Sequence, residues 1–255
     1  MFTHNGKIYL FANWKMYLDY DESNILANAL ARGAKKFGDK IQMAIFPSAL
    51  SLYPVGQVLR DVGIGVGAQN VYWVDKGGYT GEVSAAMYRA VGCEYTLIGH
   101  SERRHQFGET DHDVREKMKA ALASGLTPVL CVGETEQQRN TGKTEEVVEV
   151  QLRAAFDGLN WPKDKELIVA YEPVWAIGAG VACDPDEAMR MHELIIKICK
   201  NLIKNSDPVV LYGGSVRPNN VVGYLSQPAI DGVLVGAAST KLDEWLEIIS
   251  AAQEL

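Results

Sequence analysis

The chain runs to 255 residues, 47% of them hydrophobic and 22% charged, with 24 glycines and a formal net charge of -7. That is the composition of an ordinary globular protein, neither disordered nor fibrous, and it is long enough to bury one sizeable core. The acidic balance, with no block of clustered Lys and Arg, excludes a general nucleic-acid binder and leaves room for an anion site only inside one cleft.

At the N-terminus, MFTHNGKIYLF lacks a basic segment followed by an apolar core. No apolar run elsewhere could span a bilayer, so the expectation is a cytoplasmic protein with no membrane partner. The first β-rich run, Ile8–Asn13, ends in Asn13-Trp14-Lys15 rather than in the GxGxxG of a doubly wound dinucleotide-binding sheet. An amphipathic segment, Glu22–Phe37, separates it from the strands Gln42–Phe46 and Gly63–Ala68. Then comes QNVYWVDKGGYTGEVS, Gln69–Ser84, a long stretch without helical or strand period, which a compact domain seldom carries unless the loop has a task. Val71, Tyr72, Trp73 and Tyr79 give it more apolar surface than a solvated loop exposes, the mark of an interface.

The strand Tyr95–Gly99 leads into HSERR, and the helix Asp111–Ser124, strand Pro128–Val132 and helix Thr144–Phe156 follow. The strand Leu167–Tyr171 leads into EPVWAIGAG, and Asp184 and Pro185 supply the cap and first residue of the helix Pro185–Ile203. Strands Val209–Tyr212 and Gly232–Val235 and the helix Leu242–Ala252 complete the pattern. Eight β-then-α units with no break in composition predict a single domain over 1–255, a closed parallel (β/α)8 barrel, because each parallel strand needs a crossover helix. Cys93, Cys131, Cys183 and Cys199 show no CxxC or zinc-ligand spacing, so reduced, structural thiols are expected.

Chemistry in such barrels gathers at the carboxyl ends of the strands. Those ends carry Asn13 and Lys15, His100, Glu172, Gly213-Gly214-Ser215 and Gly236-Ala237. Glu172 alone could be half of a buried ion pair, but the apolar Val174-Trp175-Ala176-Ile177 behind it forms a candidate lid that excludes water and so strengthens a carboxylate as a base. A helical turn beginning at Ser101 would point its free N–H groups at His100 and keep the imidazole neutral, able to polarise a carbonyl through its remaining proton. Lys15 suits an anionic substrate, and a Schiff-base role stays open. Glycine turns after the last two strands, with a short helix starting near Ser239, are where phosphate settles in many barrels. With no HxH, HExxH or carboxylate cluster, no metal is expected.

The motifs NWKM (Asn13–Met16), IGHSERR (Ile98–Arg104), AYEPVWAIG (Ala170–Gly178) and YGGSV (Tyr212–Val216) together make the chain, over essentially its whole length, resemble the triosephosphate isomerase family, a TIM barrel. A glutamate base paired with a neutral histidine under a closing loop is that family's known mechanism. The resemblance implies that Glu172 moves a proton between two carbons of dihydroxyacetone phosphate or glyceraldehyde 3-phosphate, with His100 serving the oxygens. Asn13 and Lys15 would stabilise the enediolate, and Glu102 would position Lys15. The phosphate would rest on N–H groups of Gly178, Ser215, Gly236 and Ala237, with no cofactor. The resemblance further implies a homodimer through Gln69–Ser84, in which Thr80 and Glu82 order Asn13 and Lys15 across the interface.

Three departures stand out. IGAGVAC (Ile177–Cys183) replaces the family's frequent IGTGKTA, and Gly236-Ala237 replaces Gly-Gly. Trp73 sits in the third loop, a feature shared with relatives that isomerise four-carbon ketose phosphates, so a tetrulose phosphate is the alternative substrate. A silent barrel that only binds phosphorylated metabolites is the alternative of another class, disfavoured by the joint presence of Asn13, Lys15, His100 and Glu172.

Overall fold

The computed structural model describes residues 6–34, 37–178 and 182–255. Its strands are β1 (Ile8–Asn13), β2 (Ile41–Phe46), β3 (Gly65–Ala68), β4 (Tyr95–Ile98), β5 (Thr127–Val132), β6 (Ile168–Tyr171), β7 (Val209–Tyr212) and β8 (Gly232–Val235). They pair in parallel in sequence order, and β8 closes on β1 through Tyr9↔Gly232 to Ala12↔Val235. Helices α1 (Tyr20–Gly33), α2 (Leu52–Arg60), α3 (Ala85–Ala90), α4 (Ser101–Gln106), α5 (Asp111–Ala123), α6 (Glu136–Asn140), α7 (Thr144–Phe156), α8 (Pro185–Leu202), α9 (Val221–Leu225) and α10 (Leu242–Gln253) occupy the connections. The expected (β/α)8 barrel is the observed fold.

Strand parity sorts the core into two layers, since successive side chains face opposite sides of a sheet. Tyr9, Phe11, Ala44, Phe46, Cys131, Ile168, Ala170 and Leu211 belong to an inner cluster that fills the barrel. Ile8, Leu10, Ile45, Val169 and Val210 belong to the outer cluster, where Leu30 of α1, Ile195 of α8 and Trp245 of α10 cover them. Each fully buried side chain of this size stabilises the fold by about 1.5–3 kcal/mol. Among the described residues, no helix is long and apolar enough to cross a membrane.

Element ends shift where capping or glycine decides them. The Asp19 side chain accepts from Glu22 N–H at 2.8 Å while Glu22 returns a bond to Asp19 N–H, and this capping box starts α1 at Tyr20 rather than Glu22. The helix ends at Gly33, short of Phe37, and Lys35 and Lys36 lie outside the described residues. Gly63 turns with φ 76° before β3, and Gly99 with φ 73° after β4, so both strands are shorter than the sequence reading. The short helix placed near Ser239 is a 3-10 turn from Ala237 to Thr240. The segment 69–84 contains no helix or strand, only an isolated bridge between Tyr72 and Ser84.

Candidate active site

At the carboxyl ends of the strands, a cleft of about 360 Å³ is lined by Asn13, Lys15, His100, Glu102 and Glu172. Gly178, Ser215, Gly236 and Ala237 line the same cleft, so the structure brings together every cleft residue singled out in the sequence.

Parity aims Glu172 inward, above Ile168 and Ala170 of the inner layer. Its N–H continues the β5–β6 ladder to Val132 O at 2.7 Å. The register that pairs Val132 with Tyr171 and Tyr171 with Tyr212 puts Gly133 and Gly213 beside it. Both neighbours need to lack a side chain: a Cβ on Gly133 would lie 1.8 Å from Glu172 O, and one on Gly213 would lie 2.9 Å from Glu172 Cγ. Cys131 lies beneath; burial, then the charge of Glu172, pushes its thiol well above the ordinary range, so it stays a neutral thiol.

The Glu172 carboxylate, 2% exposed, is held on both oxygens. Oε2 accepts from Ser101 N–H at 2.7 Å, and Oε1 faces His100 Nε2 at 3.1 Å. His100 caps α4, with its Nδ1 accepting from Glu102 N–H at 3.2 Å. An N–H aimed at Nδ1 needs that nitrogen's lone pair, which places the ring proton of the neutral imidazole on Nε2, where it donates to Glu172. The β4–α4 corner is anchored below by buried Glu109, which accepts from Gly99 N–H at 3.1 Å, from Arg103 Nε at 2.8 Å and from Lys117. Desolvation pulls the Lys117 ammonium below its ordinary pKa, and Glu109 opposes that pull.

Lys15 takes φ 47°, a left-handed conformation that non-glycine residues hold only when their surroundings fix them. Three contacts do so. Its N–H donates to Asn13 Oδ1 at 3.0 Å, its carbonyl accepts from Gln69 Nε2 at 2.8 Å, and its ammonium meets Glu102 Oε1 at 2.6 Å. The turn after β8 approaches the same side chain, for a Cβ on Gly236 would lie 3.4 Å from Lys15 Cε. Cation and glycine turn therefore lie side by side in the one cleft.

After Glu172 the chain forms a 3-10 turn, Val174–Ala176. Trp175 finds a covered resting place there: its Nε1 donates to Glu134 Oε1 at 2.7 Å, and the Arg139 guanidinium lies 3.8 Å from its ring centroid. Tyr171 OH donates to the same buried carboxylate at 3.1 Å. Desolvation raises the Glu134 carboxyl above its ordinary pKa, against the lowering effect of those donors. Ser215 Oγ donates to Ala176 O at 2.5 Å. Within the IGAGVAC stretch, Ala179, Gly180 and Val181 lie outside the described residues.

On the other side of Lys15 opens a second cavity of about 280 Å³, reached by Asn13, Gln69, Asn70 and His100. Met16 and Phe107 line it and are 94% and 68% exposed, so its rim is apolar and open. Thr80 and Glu82 are exposed in the 69–84 segment. There Tyr72 stacks on Trp73 at 4.2 Å and meets Tyr79 at 4.7 Å, so Trp73 packs within its loop rather than along the cleft. No group of His, Cys, Asp and Glu suited to a metal occurs among the described residues.

Glu134, Gln69 and Arg139 escaped the sequence reading. Glu134 stands two residues past β5 in a stretch that reads locally as the solvated start of a helix, and Gln69 and Arg139 carry no local signal either.

A family model for triosephosphate isomerase matches residues 8–252. The triosephosphate isomerase of Roseiflexus castenholzii is 43% identical over 243 residues, covering 94% of this chain and 95% of that protein. Those of Dictyoglomus thermophilum and Nostoc sp. PCC 7120 are each 40% identical, over 94% and 96% of this chain and 97% and 98% of their own lengths.

Proposed function

The chain belongs to the triosephosphate isomerase family and interconverts dihydroxyacetone phosphate and D-glyceraldehyde 3-phosphate, and we propose that Glu172 is the base that moves the proton. The observation that carries this assignment is the double hold on its carboxylate, by Ser101 N–H and His100 Nε2. Glu172 takes a proton from the carbon beside the carbonyl, the electron pair moves onto the carbonyl oxygen, and the resulting enediolate takes the proton back on the neighbouring carbon. His100, whose Nε2 carries the ring proton, donates to the oxygen that gains charge and redistributes the proton between the two oxygens. Fixed donors and charge aimed at a developing oxyanion are worth most in a site closed to water. Lys15, held by Glu102, and Asn13 supply that charge and a further donor. The phosphate rests on backbone N–H groups of Gly178, Ser215, Gly236 and Ala237. The segment 173–183 acts as the lid, and residues 1–255 work as one domain in the cytoplasm.

The protein works as an obligate two-fold dimer. Support comes from the half-buried Tyr72–Trp73 stack and the exposed Tyr79 of the 69–84 segment, where Val71, expected at the surface, is instead fully buried, and from the open, apolar-rimmed cavity beside Lys15. Isologous docking puts each loop at the other protomer's cavity, so that the partner subunit's Thr80 and the partner subunit's Glu82 order Asn13 and Lys15. Coupled assays with a triose phosphate and a tetrulose phosphate test the substrate assignment. The triose is expected to give the higher kcat/KM; a tetrulose preference selects the four-carbon alternative, and no turnover of either selects the silent barrel.

A further inference from the structure

Both feet of the segment 173–183 are held by hydroxyl groups from the turn and helix that follow β7. At the near foot Ser215 Oγ donates to Ala176 O at 2.5 Å, and at the far foot Tyr224 OH donates to Cys183 O at 2.6 Å. Tyr224, 1% exposed, lies in α9 with its ring flat on that of Tyr212, the centroids 4.0 Å apart and the planes at 17°. Tyr212 ends β7 and directly precedes Gly213-Gly214-Ser215. Asn220 ties that turn to α9, its Oδ1 accepting from Arg217 N–H at 2.8 Å and its Nδ2 donating to Ser215 O at 3.0 Å. Cys183 in turn directly precedes Asp184, whose side chain caps α8.

A buried phenol hydroxyl must find a partner or cost its desolvation. Here the partner is the carbonyl at the joint between the lid and α8. We propose that Tyr224 is a positioning residue for the isomerisation, pinning Cys183 and linking that foot, through the Tyr212 stack, to the phosphate turn. The proposal rests on the reading of 173–183 as a lid. A pinned foot confines closure to a few torsions beside it. Without the pin the closed state forms less uniformly, water enters, and the enediolate expels its phosphate instead of taking back a proton.

Tyr224→Phe removes the hydroxyl and keeps the ring. In the free protein, amide hydrogen exchange over residues 182–184 is expected to rise roughly 2–10-fold, the range one net hydrogen bond represents, with the strands unchanged. Inorganic phosphate released per isomerisation should rise by a similar factor. Tyr224→Leu, which also removes the stack, should in addition weaken binding of inorganic phosphate. Unchanged exchange at 182–184, an unchanged release ratio, or exchange raised across the whole barrel each overturns the proposal. Because exchange is read without substrate, a wild-type protein that failed to turn over triose phosphate would break the isomerase reading separately.

Discussion

Ser101 donates its main-chain N–H to Glu172 Oε2 at 2.7 Å. The residue before it, His100, faces the other carboxylate oxygen at 3.1 Å, so a single corner at the start of α4 holds both oxygens of the base. A carboxylate engaged in this way has to release a donor before it can take a proton from carbon, and it needs free space to do so. Gly213 provides that space.

Gly213→Ala should therefore uncouple catalysis from folding. The new Cβ would stand 2.9 Å from Glu172 Cγ and shift the carboxylate, and a misplacement of about 1 Å costs roughly 10²-fold in rate. Turnover is expected to fall by that order while inorganic phosphate still binds. Wild-type kcat in this variant would remove the spatial argument.

Acid should destabilise the fold through His192. Burial pushes its imidazole down from 6.5 to about 3, with Nδ1 at 3.2 Å from Ala229 O. The native state keeps the ring neutral while the unfolded chain takes up a proton below its ordinary pKa, so unfolding binds a proton between about pH 6.5 and pH 3. Stability present above that window is lost as pH falls through it, by up to about 1.4 kcal/mol per pH unit from this group. Thermal melting from pH 7 to pH 4 should show the gap between wild type and His192→Asn narrowing as pH drops; a constant gap contradicts the assignment.

The barrel was legible because short β-rich apolar runs alternated with amphipathic helices, and strand parity then carried Asn13 and Glu172 to the inner face. Glu134 was not, because VGETEQQ reads locally as the solvated start of a helix, which Thr135 does cap. Its burial is created by Trp175 and Tyr171, brought to it by the β5–β6 register. The need for glycine at 133 and 213 likewise exists only once strand register sets Glu172 between them. The bond from Tyr224 OH to Cys183 O spans 41 residues and has no signature in either local sequence.

Assembly can be tested by trimming Val71–Tyr79, which removes the stacked Tyr72 and Trp73. Sedimentation should then show a soluble monomer with strongly reduced turnover, since Asn13 and Lys15 lose the support argued to come from the neighbouring protomer. A full-length protein that is monomeric at micromolar concentration and fully active contradicts the dimer.

The most direct measurement compares turnover of dihydroxyacetone phosphate by wild type and Glu172→Gln, with inorganic phosphate affinity measured on the same samples. The amide keeps the size of the carboxylate but cannot accept the proton, so kcat should fall by about 10²–10⁴-fold, the range general base catalysis supplies, with phosphate affinity close to that of wild type. Turnover near the wild-type rate would contradict the assignment of Glu172 as the base.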